Sequence, residues 1–281
     1  DPFATGLLIL GLGEATKILK YLVDRDKEYI AAMKLGETTD TQDYTGQIMK
    51  YRDIPSFLHD DISCISEAFA GFVGEISQIP PMYSARKVQG KRLYEIARTG
   101  KTIEREGRTI TINEIDLLDV TLPYIRFRVV CSKGTYIRTL AHDIGETLGC
   151  GAHLTALHRS RIGQFSVKEA FSLQDFMQMS HLSDKKNCLI PMDNALPFLS
   201  AITISASCAT RLMHGAQIVL SSQEIGYQTG CEHPTQILRV HNPSGAFIAL
   251  ARGTVITHND ETEWQIQPLK VFATSSRIAC Q

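Results

Sequence analysis

The residues of this sequence best suited to chemistry are an aspartate, a tyrosine and an arginine that lie far apart along the chain. Asp1 opens the run Asp1-Pro2-Phe3-Ala4-Thr5-Gly6. A residue before proline is biased away from the helical region. Pro2 fixes its own φ and offers no backbone donor, and Gly6 permits a sharp change of direction. Together they make a rigid corner that can present one carboxylate from the end of a strand, or that is ordinary turn chemistry. Tyr29 falls on the apolar phase of an alternating segment. Its phenol needs a polar partner there, whether it is a core tyrosine or part of a site. Arg138 falls in the first turn of a predicted helix, with Tyr136 beside it. A cation at that end opposes the helix macrodipole. It is either a surface arginine or one with a specific anionic partner, and a carboxylate suits the guanidinium fork. A corner, a strand and a helix start can meet only through folding, as expected of a catalytic constellation.

The elements that must position these residues follow from periodicity. Residues 7–12 read as a short buried strand, being continuous and apolar. Residues 14–23 read as a helix with Ile18, Leu19 and Leu22 on one side. Residues 27–35 alternate Tyr29, Ala31, Met33 and Leu35 against more polar neighbours, a half-buried strand. The Thr- and Asp-rich stretch 36–47 has the composition of a surface loop. Residues 60–72 are predicted helical, 76–81 an extended break, and 82–88 a strand. Gly90 then turns the chain into a helix over 91–99, with Gly100 placed to end it. Residues 109–120 and 124–131 read as two strands joined at Leu122-Pro123. Ser132-Lys133-Gly134 turns the chain, Thr135 is the expected N-cap, and Ile137, Leu140, Ala141, Ile144 and Leu148 form an apolar stripe at helical spacing. Residues 164–180 add a strand and a helix capped by Ser172. Residues 184–187 read as a polar break and 191–197 as a linker. Beyond 201 the texture changes to short β-type runs: 202–204, 236–240, 246–251, 255–257 and 264–266.

A chain of 281 residues with 43% hydrophobic and 21% charged residues is globular in composition. It carries no apolar run of membrane-spanning length and no secretion signal at its start. Seven cysteines, odd in number and scattered, form no C-x-x-C pair, which argues against a disulfide framework or a Cys-rich zinc site. Reduced cytosolic thiols are the simplest account. The net charge of −1 gives no support to nucleic-acid binding. The local balance differs. Between Arg86 and Arg108 eight cations face three acids, either a solvated helix face or a track for phosphates.

Several blocks then resemble, in unbroken order over roughly residues 1–165, the bacterial tRNA pseudouridine-55 synthases of the TruB family. They are Asp1 to Gly6 with Gly13-Glu14-Ala15-Thr16-Lys17; Asp26-Lys27-Glu28-Tyr29; Gly36 to Thr41 with Gly46; Gln78 to Lys87 with Gly90 to Glu95; Cys131 to Arg138; and Leu148 to Leu154 with Leu157. Shared order makes the set specific where any one block is weak. The resemblance implies an α+β fold: a mixed, mainly antiparallel sheet with flanking helices over residues 1–196, and a small β-rich domain over 197–281, PUA-like by analogy. It implies a cytoplasmic isomerase that turns uridine into pseudouridine in the T-loop of tRNA. No cofactor or metal is expected. The expected partner is the tRNA T-arm, with no membrane, no obligatory protein partner and a monomeric state. In that reading Asp1 is the nucleophile and Arg138 pairs with it, keeping it ionised. Tyr29 stacks on a flipped-out base, and Tyr136 and Leu157 line the pocket.

Rival motifs are weaker. Gly11-x-Gly13-x-x-Thr16 lacks the third glycine of a dinucleotide loop. Ser84-x-x-Lys87 lacks the companion motifs of a serine acyltransferase. His142, His153 and His158 fit no zinc spacing. The alternative from another class is a non-catalytic tRNA-binding or RNA-chaperone module, which would keep the tyrosines and the basic cluster but would not require Asp1. The family also carries a first strand and a G-H-x-G-x-L-D lead-in before this aspartate, and no initiator Met precedes Asp1. The chain is therefore expected to be a piece of a longer protein, weakly active or inactive and poorly stable by itself.

Overall fold

The computed structural model describes residues 1–88, 90–221, 224, 235–258 and 261–272. In chain order its elements are β1 (Thr5–Gly6), a 3-10 turn (Gly13–Lys17), α1 (Leu19–Val23), β2 (Lys27–Leu35), β3 (Glu37–Thr39), β4 (Ile48–Tyr51), α2 (Phe57–Asp60), α3 (Ser63–Ala70), β5 (Gly74–Gln78), β6 (Lys87–Val88), β7 (Lys91–Arg92), α4 (Leu93–Ala97), β8 (Arg108–Thr121), β9 (Tyr124–Cys131), α5 (Ile137–Thr147), β10 (Ala152–Ile162) and β11 (Phe165–Ser166). There follow a 3-10 turn (Val167–Glu169), α6 (Leu173–Gln178), α7 (Leu182–Asn187), β12 (Ser200–Thr203), α8 (Ala206–Met213), β13 (Ile218–Ser221), β14 (Thr235–His241), β15 (Phe247–His258) and β16 (Glu261–Val271). The fold is α+β with mainly antiparallel sheets, as expected.

Two compact units make up the chain: residues 1–9 with 23–170, and residues 10–22 with 171 onward. Residues 10–22 and 171–196, grouped with the first domain in the sequence reading, cluster with the second unit. The sheet of the first unit runs β1-β10-β2-β9-β8-β5, with β11 also on β10. Among the described strands of this sheet only β1 pairs parallel, Thr5 with His158 and Gly6 with Arg159. The odd positions of β2, Ala31, Met33 and Leu35, are buried together with Ile125, Phe127 and Val129 of β9 and Leu154 and Leu157 of β10. The stripe Ile137, Leu140, Ala141 and Ile144 of α5, with its C-cap residue Leu148, belongs to the same core. Period two on the strands and 3.6 on the helix thus converge on one layer. Gly145 lets α5 approach β10, because a Cβ there would lie 2.3 Å from the Ala152 nitrogen.

The second unit is a five-stranded sheet, β12-β14-β15-β16-β13, over a core that includes Leu212, Val240, Ile248, Trp264 and Ile266. The expected strands 246–251 and 255–257 are one strand. Gly253 does not break it: a Cβ there would lie 3.0 Å from the Trp264 ring, so the glycine serves close packing rather than a turn.

Four local expectations are corrected. Residues 7–12 do not form a buried strand, and Leu8, Leu10 and Leu12 are more than half exposed. The edge of β10 beyond Arg159 is taken by β11, which pairs with Arg161 and Ile162, so the first strand has no ladder to continue. Residues 82–88 pair only at Lys87–Val88, since the carbonyls of Ser84 and Arg86 accept from the Tyr94 and Leu93 amides instead. The polar break at 184–187 lies within α7: Asp and Lys side chains are satisfied by water on an exposed helix as readily as on a loop. The linker at 191–197 is fastened. Leu196 is fully buried, and the Asp193 carboxylate accepts from Arg239 and His241, each at 2.9 Å. Among the described residues no helix is long and apolar enough to cross a membrane.

Candidate active site

Asp1 stands on the corner its neighbours impose. The Ala4 amide donates to the Asp1 carbonyl at 3.1 Å. Phe3 packs on the core and meets the Tyr44 ring edge-on at 5.3 Å. Gly6 has φ +98°, and a Cβ there would sit 2.3 Å from the Arg159 carbonyl oxygen. The corner can therefore close onto β10 only with glycine at this position. It leaves the Asp1 carboxylate partly open, with 23% of the side chain exposed.

Arg138 enters from the start of α5. The expected cap differs: Tyr136 is the N-cap residue, and the Thr135 hydroxyl donates instead to the Ser132 carbonyl at 2.9 Å. The helix start is held by Gln78 of β5. Its Oε1 accepts from the Tyr136 amide at 2.8 Å and its Nε2 donates to the Tyr136 carbonyl at 3.1 Å. Gln78 is only 2% exposed, so this long-range cap is well shielded and leaves the local threonine free for the turn.

The Arg138 guanidinium is buried and carries most of the site's polar contacts. Nη2 pairs with Asp1 Oδ1 at 2.7 Å and donates to the Tyr83 carbonyl at 2.9 Å. Nη1 donates to the Thr41 carbonyl at 2.8 Å and lies 3.4 Å from Asp43 Oδ2. Nε is buried with no partner among the described residues. Burial pulls the guanidinium pKa below its ordinary value, and the charges of Asp43 and Tyr136 push it back. Arginine stays charged even when buried, and the carboxylates and carbonyls that meet this one offset the cost of taking its charge out of water.

Asp43 is not among the residues the sequence singles out, and the stretch that carries it has the composition of a surface loop. Thr38, Thr39 and Asp43 are buried. Asp43 Oδ1 accepts from the Thr41 hydroxyl at 2.8 Å, the Thr45 amide at 2.9 Å and the Thr45 hydroxyl at 2.5 Å. The Thr39 hydroxyl donates to the Asp43 carbonyl at 2.7 Å. Backbone bonds from Leu154 to Gln42 and from Tyr44 to Leu154 dock the loop on β10. The Thr139 hydroxyl of α5 donates to Gln42 Oε1 at 2.7 Å. A polar loop can be buried when its groups satisfy one another. The spacing Thr41-x-Asp43-x-Thr45 is the signal that could have been read.

Tyr29 lies on the core face of β2, as its phase predicts. Burial raises the phenol pKa, Cys131 adds to this, and the nearby Arg159 opposes it. Leu157, buried on β10, stands opposite Ala31 of β2, and Tyr29 stands opposite Arg159. Tyr136 is half-buried within electrostatic reach of Arg138. The structure thus joins Asp1 and Arg138 by direct contact and sets Tyr136 at the same helix start. Tyr29 and Leu157 are carried by β2 and β10, the strand onto which the Asp1 corner pairs. Arg159 likewise carries no signal in the sequence, and its Nε donates to the Leu7 carbonyl at 2.7 Å. Of the basic cluster, Lys87, Lys91, Arg92, Arg98, Lys101 and Arg108 are exposed, while Arg86 and Arg105 bond the carbonyls of Glu106 and Pro80.

Residues 1–137 match the N-terminal domain of the TruB family pseudouridylate synthases, and residues 138–197 the tRNA pseudouridylate synthase B C-terminal domain. The chain is 48% identical over 221 residues to tRNA pseudouridine synthase B of Burkholderia mallei strain NCTC 10247, covering 79% of this chain and 72% of that protein. It is 44% identical over 231 residues to tRNA pseudouridine synthase B of Chromohalobacter salexigens, covering 82% and 73%. Among solved structures, a Cbf5-Nop10-Gar1 complex aligns with TM-score 0.71 at 24% identity over 98% of this chain and 75% of that one. An archaeal box H/ACA sRNP Nop10-Cbf5 complex aligns with TM-score 0.68 at 24% identity over 97% and 75%. These structural likenesses speak to the fold alone.

Proposed function

Because the chain belongs to the TruB family of pseudouridylate synthases, we propose that it isomerises uridine to pseudouridine in tRNA, at position 55 of the T-loop, with Asp1 as the nucleophile. The observation that carries this reading is the 2.7 Å pair between Asp1 and the buried Arg138. A carboxylate so held is ionised and fixed in direction, while its remaining exposure leaves room for a substrate. The reaction breaks the C1′–N1 bond and forms C1′–C5. N1 gains a proton and C5 loses one, so atoms balance without a redox change. Tyr29 stacks on the base, which must leave its own stack to be reached. Tyr136 and Leu157 line the space around it, and stacking and apolar contact offset part of the unstacking cost.

The exposed cations between Lys87 and Arg108 fit the RNA backbone. If each meets one phosphate, replacing Lys91 by Ala weakens binding to all RNAs alike. It also reduces the slope of log K against log salt by about 0.7 to 0.9, as filter binding at several salt concentrations would measure.

The direct test uses unmodified tRNA carrying tritium at uridine C5. The protein, extended at its start by the lead-in expected above, should release tritium and its Asp1→Asn variant should not, with tRNA affinity retained. Binding by both without release would instead support a non-catalytic tRNA-binding module.

A further inference from the structure

Arg159 has no role in the reading given above, yet it touches two parts of the site. In β10 it has Gly6 as its parallel partner on one side and Tyr29 directly across on the other. It holds Leu7 twice. The Leu7 amide donates to the Arg159 carbonyl at 2.8 Å, and Arg159 Nε donates to the Leu7 carbonyl at 2.7 Å. Both backbone groups of the residue that follows the Asp1 corner are therefore taken by one arginine. Opposite residues of an antiparallel pair share a sheet face, which sets the Arg159 side chain beside Tyr29, near enough for its charge to act on the phenol. The Leu7 carbonyl is a neutral acceptor, so this bond leaves the positive charge of Arg159 uncancelled.

We propose that Arg159 is a positioning residue that couples the corner bearing Asp1 to the Tyr29 ring, fixing where carboxylate and phenol stand relative to one another. The inference rests on the roles of Asp1 and Tyr29 in the proposed function. Its physical basis is directional. Arginine can only donate, so toward Arg159 the phenol oxygen can act only as an acceptor, and the phenol's own proton is left to point elsewhere. At the same time Nε holds the Leu7 carbonyl, from which the short, Pro-containing corner runs back to Asp1. A misplacement of about 1 Å between reacting groups costs on the order of 100-fold in rate. The titratable and charged groups that act on the phenol are Cys131 from β9 and Arg159 from β10. Of these, only Arg159 favours the ionised phenol.

The test compares Arg159→Gln and Arg159→Lys, alone and combined with Tyr29→Phe, in single-turnover pseudouridine formation at saturating tRNA. Arg159→Gln should slow the step by about 100-fold with tRNA affinity unchanged, and most of that loss should vanish in the Tyr29→Phe background. Spectra of 13C-tyrosine-labelled protein, assigned through Tyr29→Phe, should show the Tyr29 phenol titrating at higher pH in Arg159→Gln. Arg159→Lys, which keeps the charge but not the Nε bond to Leu7, should return the titration toward wild type and recover only part of the rate. Loss of tRNA affinity with an unchanged saturated rate would overturn the proposal in favour of a phosphate contact. An unchanged rate and titration would reduce Arg159 to packing. If the wild-type protein forms no pseudouridine, the functional reading fails while the Tyr29 titration still decides the coupling.

Discussion

Arg138 and Arg128 each meet more than one carboxylate, in opposite settings. Arg138 is buried at the start of α5 between Asp1 and Asp43, with carbonyls filling the gaps. Arg128 stands on the face of β9 turned away from Phe127 and Val129, where it pairs with Glu28, Glu114 and Asp116 at 2.6–3.0 Å. Burial lowers the pKa of the first guanidinium. The hydrogen bonds of Glu114, Asp116 and Glu28 raise that of the second against a smaller burial effect. The cross-strand network is a stability device, solvated and replaceable. The buried pair is a poor stability device, since desolvation of both charges cancels most of their attraction. What it supplies is a carboxylate in a fixed place, which explains why its supports reach across β5, β10 and the loop at 41–45.

The sharpest way to break this contrast is to remove each arginine. Arg138→Met leaves buried carboxylate and carbonyl groups unpaired. It should cost about 3–5 kcal/mol in urea unfolding and abolish turnover. Next in size is Gln78→Leu, which strips the shielded cap from the start of α5. A loss of about 1–3 kcal/mol is expected, with a slower reaction because Arg138 shifts with the helix end. Arg128→Met should cost about 1 kcal/mol, less at high salt, and leave turnover intact. Equal losses from the two arginines would erase the distinction.

The smallest effects concern two acids and have opposite signs. Burial of Glu28 acts to raise its pKa, but hydrogen bonds from Ser160 and Arg128 and the charges of Arg128 and Arg161 outweigh it and hold the pKa below its ordinary 4.5. A pKa lowered by folding stabilises above the unfolded value and loses that contribution as pH falls through the folded one. Glu28→Gln should therefore lower Tm at pH 7 and make progressively less difference below about pH 4.5. Asp143 of α5 is raised above its ordinary 3.8, chiefly by burial, with Glu146 adding and His142 opposing. Its contribution is best below that value and is lost as pH rises through the folded pKa. Asp143→Asn should therefore raise Tm at pH 7 and lose the advantage in acid.

Much of the frame was legible because it follows local periodicity. The strand at 27–35 has the expected bounds, the pair 109–120 and 124–131 is found at 108–121 and 124–131, and the stripe on α5 is buried as its spacing predicts. The pairing of Arg138 with a carboxylate was also readable, since a cation in a first helical turn is unfavourable without an anion. Illegible were the groups whose solvent is other protein. Asp43 and its threonines have surface composition but bond one another, and Gln78 is one polar residue at the end of a short strand. Arg159 matters only because Gly6, Leu7 and Tyr29 arrive beside it.

The amino-acid sequence by itself determined the periodic elements, the corner at Asp1-Pro2 and the types of group available for chemistry. Those depend on φ/ψ sterics and on which side chains share a face over a few residues. Only the tertiary structure decided which carboxylates meet Arg138, that a threonine-rich loop is buried, and that the run after Gly6 stops pairing. Each of these depends on an edge, a carbonyl or a charge supplied from a distant part of the chain, and local sequence carries no term for that partner.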